Sequence, residues 1–257
     1  MNREREPLPT LVQQTHALPT AYDDALNDGL AALDWSLDRT ARDAIDGHIR
    51  LLLAWTSAIN LTAIRDPVVV ATAHVLDSLS AVAALRQRGI SRFLDLGSGG
   101  GLPGIPLAAA LPATDVLLVE PIGKKARFLA TAVAAIGLEA TVRVATTRAE
   151  TLAADPRHRG RWPAVTARAV ASTGELVELA FPLLAPGGIL IAWKRGDLSG
   201  DRRAAMSAAR ALGGGTIRVQ DLDLPGLTGH CLIVATRTGQ VPSAYPRDPG
   251  ARKRRPW

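Results

Sequence analysis

The sequence has 257 residues, of which 47% are hydrophobic and 21% are charged, and its formal net charge is +6. This ordinary globular composition excludes a disordered chain, and the excess of Lys and Arg favours a polyanionic partner. A single cysteine, Cys231, excludes an intrachain disulfide and a multi-cysteine metal site, and we predict no bound metal. Because MNREREPLPT lacks an apolar signal segment, and Pro or charged residues interrupt the apolar stretches, we expect a cytoplasmic protein that enters no membrane.

The first part of the chain is predicted to be helical. Residues 1–22 are rich in Pro, Gln and Thr without periodicity, which indicates a flexible lead. Apolar residues then recur at helical spacing over 41–58, with Asp38 and Thr40 as candidate caps, and this stripe should pack on the following domain. An Asp-Pro pair predicts the start of a second helix over 67–85. We therefore assign residues 23–90 to an N-terminal helical region.

Apolar runs and helical segments alternate through the rest of the chain. Strands are predicted near 92–97, 115–120, 140–145, 163–168, 188–194, 216–221 and 231–237, and helices near 103–111, 124–136, 173–184 and 200–212. This alternation predicts a doubly wound, largely parallel sheet with its ligand crevice at the carboxyl ends of the strands. The last two strands lack a helix-length connection and should be antiparallel. The sheet domain covers 91–240, and 241–257 is predicted to be a basic tail rich in Pro and Arg.

A glycine-rich loop, DLGSGGG, follows the first predicted strand and precedes a helix. Its residues Gly97, Gly99 and Gly101 lack a Cβ atom, so backbone N–H groups there can face a ligand. Glu120 ends the next strand, where a carboxylate can accept hydrogen bonds from both hydroxyls of a ribose. These features predict a ribose-bearing ligand, but alone they do not distinguish NAD, FAD and S-adenosylmethionine.

Several more particular motifs accompany this loop in a defined order along the chain. They are NLTAIRDP, HVLDSL, DLGSGGGLPGIPLA, GKKARFL, RAE and ARAVAS. Together they resemble the bacterial small-subunit (16S) ribosomal RNA guanine-N7 methyltransferases, the family named glucose-inhibited division protein B. The resemblance runs from about Asn60 to Arg237. One position differs, because Gly100 stands where the family commonly has Pro or Ala, which can loosen the loop without removing binding.

The resemblance implies a fold, a cofactor and a partner. The fold is α/β, a Rossmann-like seven-stranded class I S-adenosylmethionine-dependent methyltransferase sheet with an N-terminal helical extension. The implied cofactor is S-adenosylmethionine, and the implied partner is small-subunit ribosomal RNA or the 30S particle, bound by a monomer without an obligate protein partner. By the resemblance, Gly97 and Leu102 lie on the methionine side, and Ala149 and Glu150 lie beside the adenine. The full set of implied cofactor-binding residues is Gly97, Gly99, Gly101, Leu102, Glu120, Ala149, Glu150 and Arg168.

The implied reaction makes few demands on acid–base residues. Guanine N7 carries an unprotonated lone pair at neutral pH, so methyl transfer needs positioning and electrostatics rather than a general base. The candidate catalytic residues are Arg168 and His74. Alternatively, Arg168 forms a structural ion pair, and His74 is a histidine packed within its helix. Basic residues near the strand carboxyl ends are candidates to follow RNA phosphates: Arg65, Lys124, Lys125, Arg127, Lys194 and Arg195.

Three other functions are compatible with parts of this pattern. A methyltransferase of small molecules shares the fold, although the basic surface and the lack of a large lid insertion disfavour it. A NAD-dependent oxidoreductase shares the glycine loop and the acidic strand end. A non-catalytic ribosome-assembly factor shares the fold and cofactor binding without methyl transfer.

Overall fold

The computed structural model describes residues 7–196 and 198–257. Seven strands form one sheet in the order β3-β2-β1-β4-β5-β7-β6. They are β1 (Arg92–Leu96), β2 (Asp115–Val119), β3 (Val142–Ala145), β4 (Trp162–Arg168), β5 (Leu184–Arg195), β6 (Gly215–Asp221) and β7 (His230–Arg237). The first five strands pair in parallel, whereas β7 is antiparallel to both β5 and β6. The predicted seven-stranded α/β sheet, including its antiparallel final pair, is confirmed.

Helices surround the sheet and precede it. They are α1 (Thr20–Ala32), α2 (Arg39–Ile59), α3 (Pro67–Gln87), α4 (Gly104–Ala110), α5 (Gly123–Ala135), α6 (Ala149–Ala154), α7 (Thr173–Ala180), α8 (Ser199–Ala211) and α9 (Pro249–Arg254). The prediction had not resolved α1, α6 or α9 as separate helices. Helix α1 begins inside the segment expected as a lead, whose residues 1–6 lie outside the described residues.

Helix α2 attaches the N-terminal region to the sheet domain. Its N-cap is Asp38, one of the two predicted candidates, whose side chain accepts a hydrogen bond from the Ala41 backbone N–H at 2.8 Å. Its apolar stripe packs on α4 and α5, and Trp55 contacts the ring of Phe128 on α5. The N-terminal helices therefore cover one face of the sheet.

Helix α3 has an irregular centre. Asp66 caps it and Pro67 occupies its first turn, and a π-helical stretch follows at Val70–Leu76. Among the described residues, α3 is the one helix long and apolar enough to cross a membrane by length and composition alone. Two thirds of its most apolar window (67%) is buried inside the protein, as in a core helix of a soluble protein.

The sheet separates two hydrophobic cores. Phe93 on β1 points into the core shared with the N-terminal helices, and the next residue, Leu94, points into the other core. Because both faces of the sheet are buried, the parallel strands appear in the sequence as continuous apolar runs. Tyr245 and Trp257, from the segment expected as a tail, pack on the second core. That segment is folded against the sheet domain and contains α9.

Candidate functional site

The glycine loop leaves β1 in a conformation that favours glycine. Gly97, Gly99 and Gly101 have φ values of +67°, +54° and +82°. A Cβ atom on Gly97 would lie 2.6 Å from Cγ2 of Val170, and one on Gly101 would lie 2.9 Å from Nε2 of His48. The backbone conformation therefore disfavours larger residues at all three glycines, and close neighbours disfavour them further at Gly97 and Gly101.

Glu120 connects this loop to the end of β2. Its carboxylate is buried, with Oε2 accepting from the Gly99 backbone N–H at 2.9 Å and Oε1 accepting from the Ile122 N–H at 2.8 Å. A carboxylate has about four lone-pair positions, so each oxygen keeps capacity for a further donor such as a ribose hydroxyl. The structure thus brings Glu120 and the glycine loop together, as the prediction required.

A buried histidine supports the loop from the N-terminal region. Nε2 of His48, on α2, donates to the Gly100 carbonyl at 2.8 Å, which fixes the tautomer, while Nδ1 has no hydrogen-bond partner among the described residues. Burial lowers the pKa of His48 to about 4, so the ring is neutral at pH 7. A Cβ on Gly100 would lie 2.7 Å from Cδ1 of Leu52, a side chain that can move. The sequence did not indicate a role for His48, because no sequence motif marks an isolated histidine on the apolar face of a helix.

Two further residues flank the loop. Asp95 is fully buried at the end of β1 and accepts from the Thr166 hydroxyl at 2.7 Å. Burial raises the pKa of Asp95 to about 6. Leu102 precedes a cis peptide bond to Pro103 and packs, partly buried, against the core shared with the N-terminal helices.

A cleft joins the glycine loop to the start of α6. Gly97, Ala149 and Glu150 all line it, so the structure brings together residues predicted for the two ends of the cofactor. Val170 lines the same cleft just after β4, where Ala169 adopts φ +56°, a conformation that non-glycine residues rarely adopt and that often marks functional sites. Besides those predicted residues, Glu175 and Arg252 also line it; nothing in the sequence had indicated either one.

Arg168 lies at the end of β4 within a polar cluster. Its Nη1 donates to Asp77 Oδ2 at 2.7 Å and to the Ala73 carbonyl at 3.2 Å. Asp77 is buried and its other oxygen, Oδ1, lies 3.0 Å from Nδ1 of His230. Among the described residues Arg168 donates only through Nη1, so Nε and Nη2 can face a ligand. Asp77 belongs to the HVLDSL motif, but its pairing with Arg168 had not been predicted.

His74 lies on the π-helical stretch of α3. Its Nε2 is 2.7 Å from the hydroxyl of Thr62, which belongs to the NLTAIRDP motif. Burial and the nearby Arg168 lower the pKa of His74 to about 4, so it is neutral at pH 7. The structure therefore places His74 between the NLTAIRDP motif and the Arg168 cluster, rather than in the cleft with Gly97.

The architecture defines the class of protein. A seven-stranded sheet with one antiparallel end, a glycine loop after β1 and a carboxylate after β2 are the features of a class I S-adenosylmethionine-dependent methyltransferase. The solved structure of the S-adenosylmethionine-dependent methyltransferase SibL superposes on it with a TM-score of 0.55 at 17% identity, covering 85% of this chain and 76% of that one. At this identity the likeness concerns the fold alone.

The sequence comparisons then give the family. The family described as GidB, rRNA small subunit methyltransferase G, matches residues 42–215, and the chain belongs to it. A ribosomal RNA small subunit methyltransferase G from Roseiflexus castenholzii is 41% identical over 88% of this chain and 96% of its own length. The enzyme of that name from Dehalococcoides mccartyi is 39% identical over 86% of this chain and 94% of its own length.

The residues present fit S-adenosylmethionine, the cofactor of this class. Gly97 lacks a Cβ atom at a point of the cleft where one would meet Val170, the buried Glu120 carboxylate retains acceptor capacity, and the cleft connects Gly97 to Ala149 and Glu150. Among the described residues no group of three or more His, Cys, Asp or Glu side chains could hold a metal ion.

Proposed function

We propose that the protein transfers a methyl group from S-adenosylmethionine to N7 of a guanine in 16S ribosomal RNA. The observation that carries this proposal is the family match over residues 42–215, which includes the glycine loop, Glu120, Glu150 and the Arg168–Asp77 pair. The relatives named above as ribosomal RNA small subunit methyltransferases support the class of substrate. The guanine N7 position agrees with the family resemblance of the motifs.

The residues of the chain have separable tasks in this reaction. When bound, S-adenosylmethionine supplies an electrophilic methyl group on a sulfonium. The cofactor-binding set is proposed to be Gly97, Gly99, Gly101, Leu102, Glu120, Ala149, Glu150 and Arg168. In this set, Glu120 would accept from the ribose hydroxyls, and the glycines would allow the backbone to approach the cofactor closely.

The acceptor side needs orientation more than proton transfer. Because N7 of guanine is already a free lone pair, the chain needs no general base, and the neutral His74 is suited to hold Thr62 rather than to move a proton. Arg168, fixed through Nη1 by Asp77, can present Nε and Nη2 to the base, a phosphate or the cofactor carboxylate. Cys231 is buried on β7, so no thiol is placed for nucleophilic attack.

The proposal extends to the surroundings of the enzyme. We infer a cytoplasmic monomer that acts without a membrane or an obligate protein partner, and that divides into residues 1–22, 23–90, 91–240 and 241–257.

Of the basic residues predicted to follow RNA phosphates, Arg65, Lys124, Arg127 and Arg195 are exposed, whereas Lys125 and Lys194 are half-buried. Exposed cations of this kind contribute chiefly salt-dependent affinity for a nucleic acid.

The deciding experiment measures transfer of labelled methyl from S-adenosylmethionine to purified small subunits and, in parallel, to free 16S ribosomal RNA from a strain that lacks this gene. We expect incorporation of one 7-methylguanine, located by mass mapping of nuclease fragments. Transfer to small metabolites with none to either RNA substrate would overturn the substrate assignment. Binding of NADH without binding of S-adenosylmethionine, measured by calorimetry, would overturn the reaction class.

A further inference from the structure

A residue of α9 joins two helices that line the cleft. Arg252 is 8% exposed; its Nη2 donates to Oε1 of Glu150, and its Nε donates to Oε1 of Glu175 at 2.9 Å. Glu150 lies in the first turn of α6, and Glu175 lies in the first turn of α7. Arg252 and both glutamates are among the residues that line the cleft together with Gly97.

The 241–257 segment also has contacts with α7 that do not involve Arg252, although Arg252 Nη1 donates to the Arg247 carbonyl. Glu178, fully buried on α7, accepts from Arg247 Nη2 and from Trp257 Nε1, each at 2.6 Å. The guanidinium of Arg247 also lies over the ring of Trp257, 4.8 Å from its centroid. A Cβ atom on Gly174 would lie 2.6 Å from Cβ of Trp257, so α7 and the segment are in close contact. The segment therefore has a defined position beside the cleft.

The charges explain what Arg252 does there. Two carboxylates, of Glu150 and Glu175, face the same part of the cleft, and without a cation they would repel each other and turn towards solvent or towards the ligand. The planar guanidinium can bind two carboxylates at once from different nitrogens, which an ammonium group does less well. Arg252 thus neutralises the two carboxylates and holds the Glu150 side chain in one orientation.

We propose that the 241–257 segment is part of the cofactor site, with Arg252 as a positioning residue that holds Glu150 and the start of α6 against the adenosyl end of S-adenosylmethionine. This inference rests on the proposed function, which assigns the cleft to that cofactor. The segment lies outside the residues 42–215 that match the family model, so the match assigns it no role.

The test measures ligand affinity by calorimetry for the full chain and for Arg252→Gln, using two probes. S-adenosylmethionine contains the adenosyl and amino-acid parts, whereas 5′-methylthioadenosine has the adenosyl part without the amino acid. We expect Arg252→Gln to weaken both ligands by the same factor of about tenfold, equivalent to about 1.4 kcal/mol. The matched control, Arg254→Gln, removes an exposed arginine of the same helix and should change neither affinity by more than about twofold.

Arg252→Lys keeps the proposal testable if the glutamine variant does not fold. Its ammonium can pair with one glutamate but not with both in the same geometry, so we expect an affinity between those of the wild type and Arg252→Gln. A folded Arg252→Gln or Arg252→Lys protein that binds both ligands like the wild type overturns the inference, and so does a loss confined to S-adenosylmethionine. If the wild type binds neither ligand, the proposed function itself fails, which is a distinguishable result.

Discussion

The Arg168 guanidinium lies 2.7 Å from the Asp77 carboxylate, although 91 residues separate the two in the chain. The same carboxylate lies 3.0 Å from Nδ1 of His230, and the backbone carbonyl of Asp77 accepts from Nε1 of Trp193 at 2.6 Å. One residue of α3 is therefore bonded to the ends of β4, β5 and β7. This arrangement ties the N-terminal region to the carboxyl ends of the parallel strands, where the proposed reaction would occur.

Asp77→Asn should impair catalysis and weaken cofactor binding. The amide can still accept a hydrogen bond, but it leaves the Arg168 cation without its buried counter-charge. Removing one partner of a buried ion pair typically lowers the stability of the protein by about 3 kcal/mol or more. We expect kcat for RNA methylation to fall by about tenfold or more and, because Arg168 belongs to the proposed cofactor-binding set, the Kd for S-adenosylmethionine to rise by up to about tenfold. The control is Asp155→Asn, which removes the partner of the exposed Arg157 and should leave kcat unchanged. An unaltered kcat in Asp77→Asn would show that Arg168 does not need this partner.

Gly97→Ala should weaken cofactor binding. The added Cβ would lie 2.6 Å from Val170 Cγ2, and the φ of +67° costs a non-glycine residue about 1–2 kcal/mol. We expect the Kd for S-adenosylmethionine to rise by at least about tenfold in calorimetry, because either the loop or Val170 must move within the cleft. Gly137→Ala is the matched control, since its φ is +74° and no described atom lies within 4 Å of the added Cβ. The control should lose about 1 kcal/mol of stability and keep the wild-type Kd.

Glu120→Gln tests whether a carboxylate is required at the end of β2. Glutamine has the same size, but its NH₂ group cannot accept from the backbone N–H groups of Gly99 and Ile122, so one of these donors loses its partner. We expect a loss of stability of about 1–3 kcal/mol and a rise in the Kd for S-adenosylmethionine of about tenfold or more. Glu139→Gln, at an exposed position, should change neither quantity. An unchanged Kd in Glu120→Gln would exclude a ribose-binding role.

The features that sequence reasoning found are those encoded over short stretches of chain. Alternating apolar runs and helical segments predict the seven strands and their parallel pairing, because helical crossovers join parallel strands. Glu120 was correctly placed beside the glycine loop, because it ends the strand that pairs with β1 and the two strand ends lie side by side. The position just before a helical pattern limits the cap to Asp38 or Thr40, and the structure shows that Asp38 is the cap.

The contacts that were missed join residues far apart in the chain. His48 and Gly100 are separated by 52 residues, and Arg252 and Glu150 by 102 residues. Neither periodicity nor a local motif carries such information, because the contact exists only once separate elements have packed. The same reason explains why the sequence does not indicate that Arg252 is buried.

The neutral state of His48 predicts a pH dependence of stability. Its folded pKa of about 4 lies below the ordinary value of 6.5, so the unfolded chain binds the proton first as the pH falls. The stabilisation is fully present above pH 6.5 and is lost between pH 6.5 and 4, by about 2 kcal/mol at pH 5. His48→Gln removes this contribution while keeping a donor for the Gly100 carbonyl.

The measurement compares urea unfolding of the wild type and His48→Gln at pH 8 and pH 5. We expect the wild type to lose about 2 kcal/mol more than the variant between these pH values. Other titrating groups act in both proteins and cancel in the difference, including His74, which acts in the same direction, and Asp95, whose raised pKa acts in the opposite one. Equal losses in the two proteins would contradict the buried, neutral state of His48.

The exposed cations of α9 and the residue after it should contribute to RNA binding. Lys253, Arg254 and Arg255 are exposed, whereas Arg252 is buried between two glutamates and is not available to a phosphate. Replacing these three cations with Gln, and keeping Arg252, should weaken binding of 16S ribosomal RNA and reduce the slope of log K against log salt by up to about 2. The control replaces three exposed arginines from other elements: Arg39, Arg157 and Arg202. If both triple variants alter the slope equally, only net charge matters; an unchanged slope in the first would show that these cations do not contact RNA.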